Sequence, residues 1–260
     1  MSLLKLFEDK NKIMGWRRDF KISKDWIPNK HIARLKEDQT IAYHGEKIYD
    51  MTIEGLYYEI NSLGHRSHFT PNDVKSYGIV VGCSHTFGTA VSYSNLYHQC
   101  LNIDTPVYNL GIAGCSNEVS IHNLSRFLTL YKKPEFVIFQ VTNKERLTTV
   151  TDDSHIKNLG LWSLAEEDEN ITNAMLGLDG IKHFEWRYTT HINIVKALCR
   201  DIPLVFVHHP SLGTAHNISD ETHYLMRVTE GKFAADGMHS CEEDHVAWGR
   251  DLGNIIKRGP

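Results

Sequence analysis

The sequence predicts a three-layer α/β/α sandwich around a central parallel sheet, and three observations carry that prediction. Short apolar runs of strand length recur from Tyr77 onward. Segments of helix length, several with an apolar stripe, separate them. Glycines and chemically active polar residues gather just after the runs, at the edge where α/β sheets place their sites.

The first seventy residues stand apart. They are polar, rich in Lys, Asp and His, and interrupted by short segments such as IAYHG and GLYYEINSLG. These read as a strand or two with a turn at Asn61-Ser62-Leu63-Gly64. Residues 1–70 are expected to form an N-terminal extension packed on a main domain of residues 71–260, because their apolar periodicity is too thin for a separate core. From there the runs YGIVVG (77–82), PVYNLG (106–111), EFVIFQV (135–141) and PLVFVHH (203–209) read as strands covered on both faces, as parallel strands are. Helices are expected near Ser92–Leu101, Asn117–Tyr131, Ile181–Cys199 and Glu242–Ile256. The segment from Thr149 to Gly180 breaks this rhythm with the acidic run Glu166-Glu167-Asp168-Glu169 and with Trp162. An insertion after the third strand falls at the carboxyl edge, where a lid or substrate wall would stand.

Bulk properties exclude several classes. With 28 basic against 32 acidic residues the net charge is −4, which offers no general field for a nucleic acid. The 260 residues suffice for one sizeable core. An odd cysteine count without a C-x-x-C pair argues against a disulfide framework and a zinc ribbon. Charges interrupt the N-terminus where a signal peptide needs an apolar stretch, and no apolar run approaches the roughly 20 residues that span a bilayer. A soluble, cytoplasmic protein in a reducing compartment is expected.

The strand-end residues form the inventory of a serine hydrolase. A serine hydroxyl is a weak nucleophile that needs a base within hydrogen-bond reach. Ser84, after the first run, can attack; His239 can take its proton; and Asp236, three residues earlier, can hold the imidazole in the required tautomer. Acyl transfer builds charge on the carbonyl oxygen, and the backbone N–H groups of Ser84 and Gly114 with the Asn143 carboxamide can receive it. Taken singly, each has a plainer account: turn residues at Ser84 and Asp236, a helix-entry glycine at Gly114, a helix N-cap at Asn143. The joint arrangement in four loops is what points to chemistry.

That arrangement resembles the SGNH (GDSL-type) hydrolase superfamily, named for its Ser, Gly, Asn and His blocks. Ser84 lies in GCSHTFG, where the family usually has Gly-Asp-Ser. Gly114 lies in NLGIAGCS, similar to an N-x-G-x-x-G block; Asn143 lies in VTNK, where Gly-x-Asn-Asp is usual; and His239 closes the D-x-x-H block as DGMH. EINSLGHRS upstream resembles an N-S-L-G-x-R lead-in. The likeness runs from about residue 58 to the C-terminus with the blocks in family order. It implies a flavodoxin-like strand order and ester hydrolysis by Ser84, Asp236 and His239, with Ser84, Gly114 and Asn143 around the oxyanion. Neither a metal nor an organic cofactor is implied.

Cys83 and Lys144 stand where the family has aspartates, so a catalytically impaired domain that binds a glycan or a protein partner is the alternative. Cys83 as the nucleophile is a lesser one, since adjacent residues point apart; a small buried spacer suits it better. His85, His208 and His209 are expected as substrate contacts. The same three histidines could instead converge on zinc in a metal-dependent hydrolase, although no metal-ligand spacing supports it. The substrate expected is a small-molecule or carbohydrate ester, with an O-acetyl ester favoured by the polar insertion, Trp162 and Trp186.

Overall fold

A computed structural model describes residues 33–49, 57–159, 180–209, 222–234 and 239–259. Two small antiparallel pairs come first: β1 (Arg34–Leu35) with β2 (Ile41–Ala42), and β3 (Lys47–Tyr49) with β4 (Tyr57–Glu59). The sandwich follows as β5 (Gly78–Val81), a four-residue helix α1 (Ser84–Phe87), β6 (Val107–Asn109), α2 (Asn117–Leu130) and β7 (Val137–Val141). An antiparallel hairpin, β8 (Leu147–Val150) and β9 (Ile156–Leu159), interrupts it. The chain then continues through α3 (Gly180–Leu198), β10 (Leu204–His208), β11 (His223–Leu225) and α4 (Glu242–Arg258).

The central sheet runs β11-β10-β7-β5-β6, and every pairing in it is parallel. Counted along the chain this is order 2-1-3-4-5, the flavodoxin-like arrangement, whose direction switches beside its first strand. The strand period of two divides the core between the faces. Ile79, Val81, Val137, Phe139 and Phe206 point to α2 and α3, where they meet Leu124, Phe127 and Val195. Val80, Ile138, Val205 and Val207 point the other way, onto Trp248 and Leu252 of α4. Acidic residues in the first turn of α4 and Lys257 and Arg258 in its last both oppose the helix dipole favourably.

A second apolar cluster joins the N-terminal segments to the sandwich. Ile41, Tyr43, Ile48 and Tyr58 pack with Phe87, Ile112, Val119 and Ile156. The Asn123 side chain accepts from Ile41 N–H and donates to Ile41 C=O, both at 2.8 Å, in place of a neighbouring strand. Ile156 N–H donates to Ala33 C=O and Leu35 N–H to Ser154 C=O, so β1 lies along the hairpin.

The structure departs from the sequence reading in local elements. Ser92–Leu101 is a short 3-10 turn at Tyr93–Asn95 followed by further turns. Its Ser, Asn, Tyr and His residues compete for backbone groups or lose rotamer freedom in a helix. The sequence reading lacked β11 and the hairpin that opens the insertion. Residues 1–32 and 160–179, the latter holding Trp162 and the acidic run, lie outside the described residues. Among the described residues no helix is long and apolar enough to cross a membrane.

Candidate active site

The β5 strand ends at Val81, and Gly82 and Cys83 lead into α1, so Ser84 opens the helix at the carboxyl edge of the sheet. Ser84 is only 7 % exposed. Among the described residues its Oγ reaches the Cys83 sulfur, 4.0 Å away, and no imidazole. Burial alone would push the Cys83 thiol up. The Arg146 guanidinium and hydrogen bonds from the His85 N–H and Ser84 outweigh that, and the thiol lies below its ordinary value.

A polar network beneath the loop fixes it. Gln140 Oε1 accepts from Cys83 N–H at 3.1 Å and from Thr86 Oγ1 at 2.7 Å. With the Thr86 proton committed there, Tyr97 OH donates to Thr86 Oγ1 at 2.9 Å. On the other side Asn109 Nδ2 donates to Thr86 C=O at 2.9 Å, and Gly111 N–H donates to Asn109 Oδ1 at 2.8 Å. A Cβ at Gly111 would stand 2.4 Å from Phe87 N, so the β6 loop runs backbone to backbone against α1. Arg66 closes the far end of α1, donating to the carbonyls of Phe87, Gly88 and Val91 while its guanidinium lies 4.4 Å over the Tyr58 ring.

After β6 the chain makes a tight turn in which Cys115 N–H donates to Ile112 C=O at 3.2 Å. Gly114 has φ +74° and Ala113 a negative φ, which defines a type II turn and requires glycine at its third position. The space a side chain would take at Gly114 opens toward Asn158 Nδ2, 3.6 Å away. Asn158 of β9 accepts from Thr148 Oγ1, whose oxygen also lies 2.8 Å from Ser116 Oγ, so a polar wall flanks the turn.

Asn143 follows β7. Its Oδ1 is buried with no partner among the described residues. The loop is tied from two helices. Asn117 of α2 accepts from Thr142 N–H and donates to its C=O. Arg187 of α3 donates to the carbonyls of Lys144 and Arg146 while paired with Glu118. Lys144 itself lies 3.7 Å from Glu185.

The histidines divide between the sheet faces. His208, in line with Phe206, faces α2 and α3, where its Nε2 is 2.8 Å from His223 Nδ1. His209 falls on the opposite face and stacks on His85, centroids 4.3 Å apart and planes 14° apart. The proposed base His239 stands edge-on to His85 at 5.2 Å. His209 Nε2 is 3.2 Å from Ser240 Oγ, and Trp248 closes the group from α4. Burial, reinforced by the neighbouring His239 and Arg146, pushes His209 down to about 3, and burial with its histidine neighbours holds His85 well below the ordinary value. The zinc alternative built on His85, His208 and His209 is corrected by this division: adjacent strand residues point apart. Among the described residues no group of three or more His, Cys, Asp or Glu is placed to hold a metal. Asp236 lies outside the described residues.

Solved G-D-S-L structures resemble this chain. A member of the lipolytic G-D-S-L family from Veillonella parvula matches with a TM-score of 0.43 at 10% identity, covering 70% of this chain and 99% of its own. A carbohydrate acetylesterase from Sinorhizobium meliloti gives 0.43 and 10%, covering 71% and 99%. A protein described as lipolytic and of the G-D-S-L family from Desulfitobacterium hafniense gives 0.42 and 13%, covering 70% and 99%. No protein-family model and no curated protein matches the sequence.

Gln140, Asn117 and Tyr43 support the site and were not singled out by the sequence reading, whereas Asn109 and Arg66 are the first Asn of the N-x-G-x-x-G block and the Arg of the N-S-L-G-x-R lead-in. Gln140 had a signal: it is the one polar residue inside the run VIFQV.

Proposed function

We propose that the protein is a serine ester hydrolase acting on a carboxylic ester, with a short-acyl ester of a carbohydrate as its substrate. The observation that carries this reading is the sheet order. Because β5 lies between β6 and β7, the Ser84 loop sits between the loops of Gly114 and Asn143. Loops that carry the proposed nucleophile and the proposed oxyanion donors thus follow three adjacent strands, and the His239 ring lies edge-on to His85, the residue after Ser84; both support this reading.

In this mechanism Ser84 Oγ bonds to the acyl carbon while its proton passes to His239, oriented by Asp236. The N–H groups of Ser84 and Gly114 and the Asn143 carboxamide receive the negative charge, donors of which one is typically worth about 100-fold to 1000-fold in rate. The alcohol leaves with the proton from His239, and water releases the acyl group over the same base. The aspartate that Cys83 replaces has a stand-in for loop support, since Gln140 holds the Cys83 N–H. The polar wall of Ser116, Thr148 and Asn158 beside the Gly114 turn favours a small acyl group on a hydroxyl-rich alcohol.

The test is covalent. A fluorophosphonate probe should label Ser84, as mapped by mass spectrometry, and labelling should vanish in His239→Ala. Ser84→Ala should lose all turnover of acetyl esters while keeping the wild-type melting temperature within a few degrees. Folded wild-type protein that neither labels nor turns over short-acyl esters would leave a binding domain as the better reading.

A further inference from the structure

We propose that Tyr43, from the N-terminal extension, is a positioning residue for the oxyanion donor: it is a strut that sets the Gly114 turn against the nucleophile helix. This rests on the esterase reading. The Tyr43 hydroxyl accepts the Ala113 N–H at 2.8 Å, at the residue that precedes the proposed donor in the type II turn. The ring of the same side chain packs on Phe87, three residues beyond Ser84, with centroids 5.2 Å apart. One rigid side chain therefore touches both halves of the proposed site. Neither contact comes from the sandwich itself.

The base of the strut is anchored independently. Tyr43 N–H donates to Gly64 C=O at 2.9 Å. Two residues earlier, Ile41 is held on both its backbone groups by Asn123 of α2. Tyr43 is 9 % exposed, so water does not compete freely for the Ala113 N–H. A phenol has only two side-chain torsions, both fixed here by packing, so the position of its oxygen is defined by the core around it. A type II turn has a central peptide that can flip, and that peptide carries the Gly114 N–H. A bond to the preceding N–H is well placed to bias the flip. Supporting groups of this kind decide whether a first layer of donors is held within a few tenths of an ångström.

A purely space-filling role makes a different forecast, so the test keeps the ring and removes the oxygen. In Tyr43→Phe, kcat on an aryl acetate should fall by roughly five- to thirtyfold with KM within about twofold. That is short of the ~100-fold that follows outright loss of a donor. Amide exchange in a peptide spanning residues 110–116 should quicken.

Unchanged kcat in Tyr43→Phe, or a lowered kcat with unchanged amide exchange over residues 110–116, overturns the proposal while leaving the esterase reading intact. Wild-type protein without ester turnover or fluorophosphonate labelling overturns the esterase reading and this inference with it.

Discussion

The two sides of the candidate site are built on opposite principles. Around Ser84 nearly every polar group is matched: Gln140, Thr86, Tyr97, Asn109 and Arg66 exchange hydrogen bonds that fix the backbone of α1 from several directions. Around His239 the neighbours are rings. His85 stacks on His209, His245 lies tilted against Tyr97 and Trp248, and His85 Nδ1 and both nitrogens of His245 are buried without a hydrogen-bond partner among the described residues. Hydrogen bonds fix direction as well as distance, whereas ring packing mainly excludes water. The first side suits a nucleophile whose placement decides the rate. The second suits a base that must exchange protons in a dry setting, and it leaves that setting vulnerable to acid.

The largest effect should come from disturbing the hydrogen-bonded side. In Gly111→Ala the new Cβ meets Phe87 N at 2.4 Å and Thr86 C at 2.8 Å, backbone atoms that cannot swing away. Displacing α1 by a fraction of an ångström to an ångström should lower kcat/KM on the order of 100-fold. A near-normal rate in folded Gly111→Ala would show that placement of Ser84 is less exacting than the bonding around it implies.

An intermediate effect should come from the ring side. Burial pushes His98, His209 and His245 each down to about 3, so all are neutral in the folded protein at ordinary pH. The unfolded chain takes up their protons below about pH 6.5. The folding stability they permit is therefore complete above that pH and is lost as pH falls toward 3, at up to about 1.4 kcal/mol per pH unit for each histidine. Melting temperature should drop steeply between pH 6.5 and pH 4. In His245→Phe, which keeps a ring between Tyr97 and Trp248, the slope should shrink by about one proton's worth. An unchanged slope would mean that the acid response arises elsewhere, with the paired His208 and the buried His65 the next to test.

The smallest effect should be at the rim. Lys144 stands where the SGNH-type resemblance of the sequence would have an aspartate, yet its ammonium is 3.7 Å from the exposed Glu185 and its backbone is held separately by Arg187. Lys144→Ala should alter kcat/KM by less than about threefold and stability by under about 1 kcal/mol. A larger loss of rate would give Lys144 a part in the chemistry.

The same contrast explains what could be read in the sequence. The four strands, the helices at α2, α3 and α4 and the placement of Ser84, Gly114 and Asn143 after successive strands follow from apolar periodicity, which records burial directly. Burial cannot distinguish helix from tight turns over Ser92–Leu101, where the packing partner is the distant α4. It also misleads for His208 and His209, whose adjacency in sequence suggests a pair, while the pleat sends one to His223 and the other to His85. The supports were least legible of all. Tyr43 and Asn123 act on residues 70 and 82 positions away, and no local pattern announces such partners.

Those separations bear on how the protein is made. A ribosome releases Tyr43 and Ile41 early, but their partners Ala113 and Asn123 emerge much later, and Ala33 must wait for Ile156 of the hairpin. At typical synthesis rates that last delay is about 6 to 25 seconds. Through that interval the surface that covers Ile41, Tyr43, Ile48 and Tyr58 is incomplete. The nascent chain thus carries exposed apolar strand segments ahead of its own core, a natural target for chaperones and a point where hurried overexpression would divert it into aggregates.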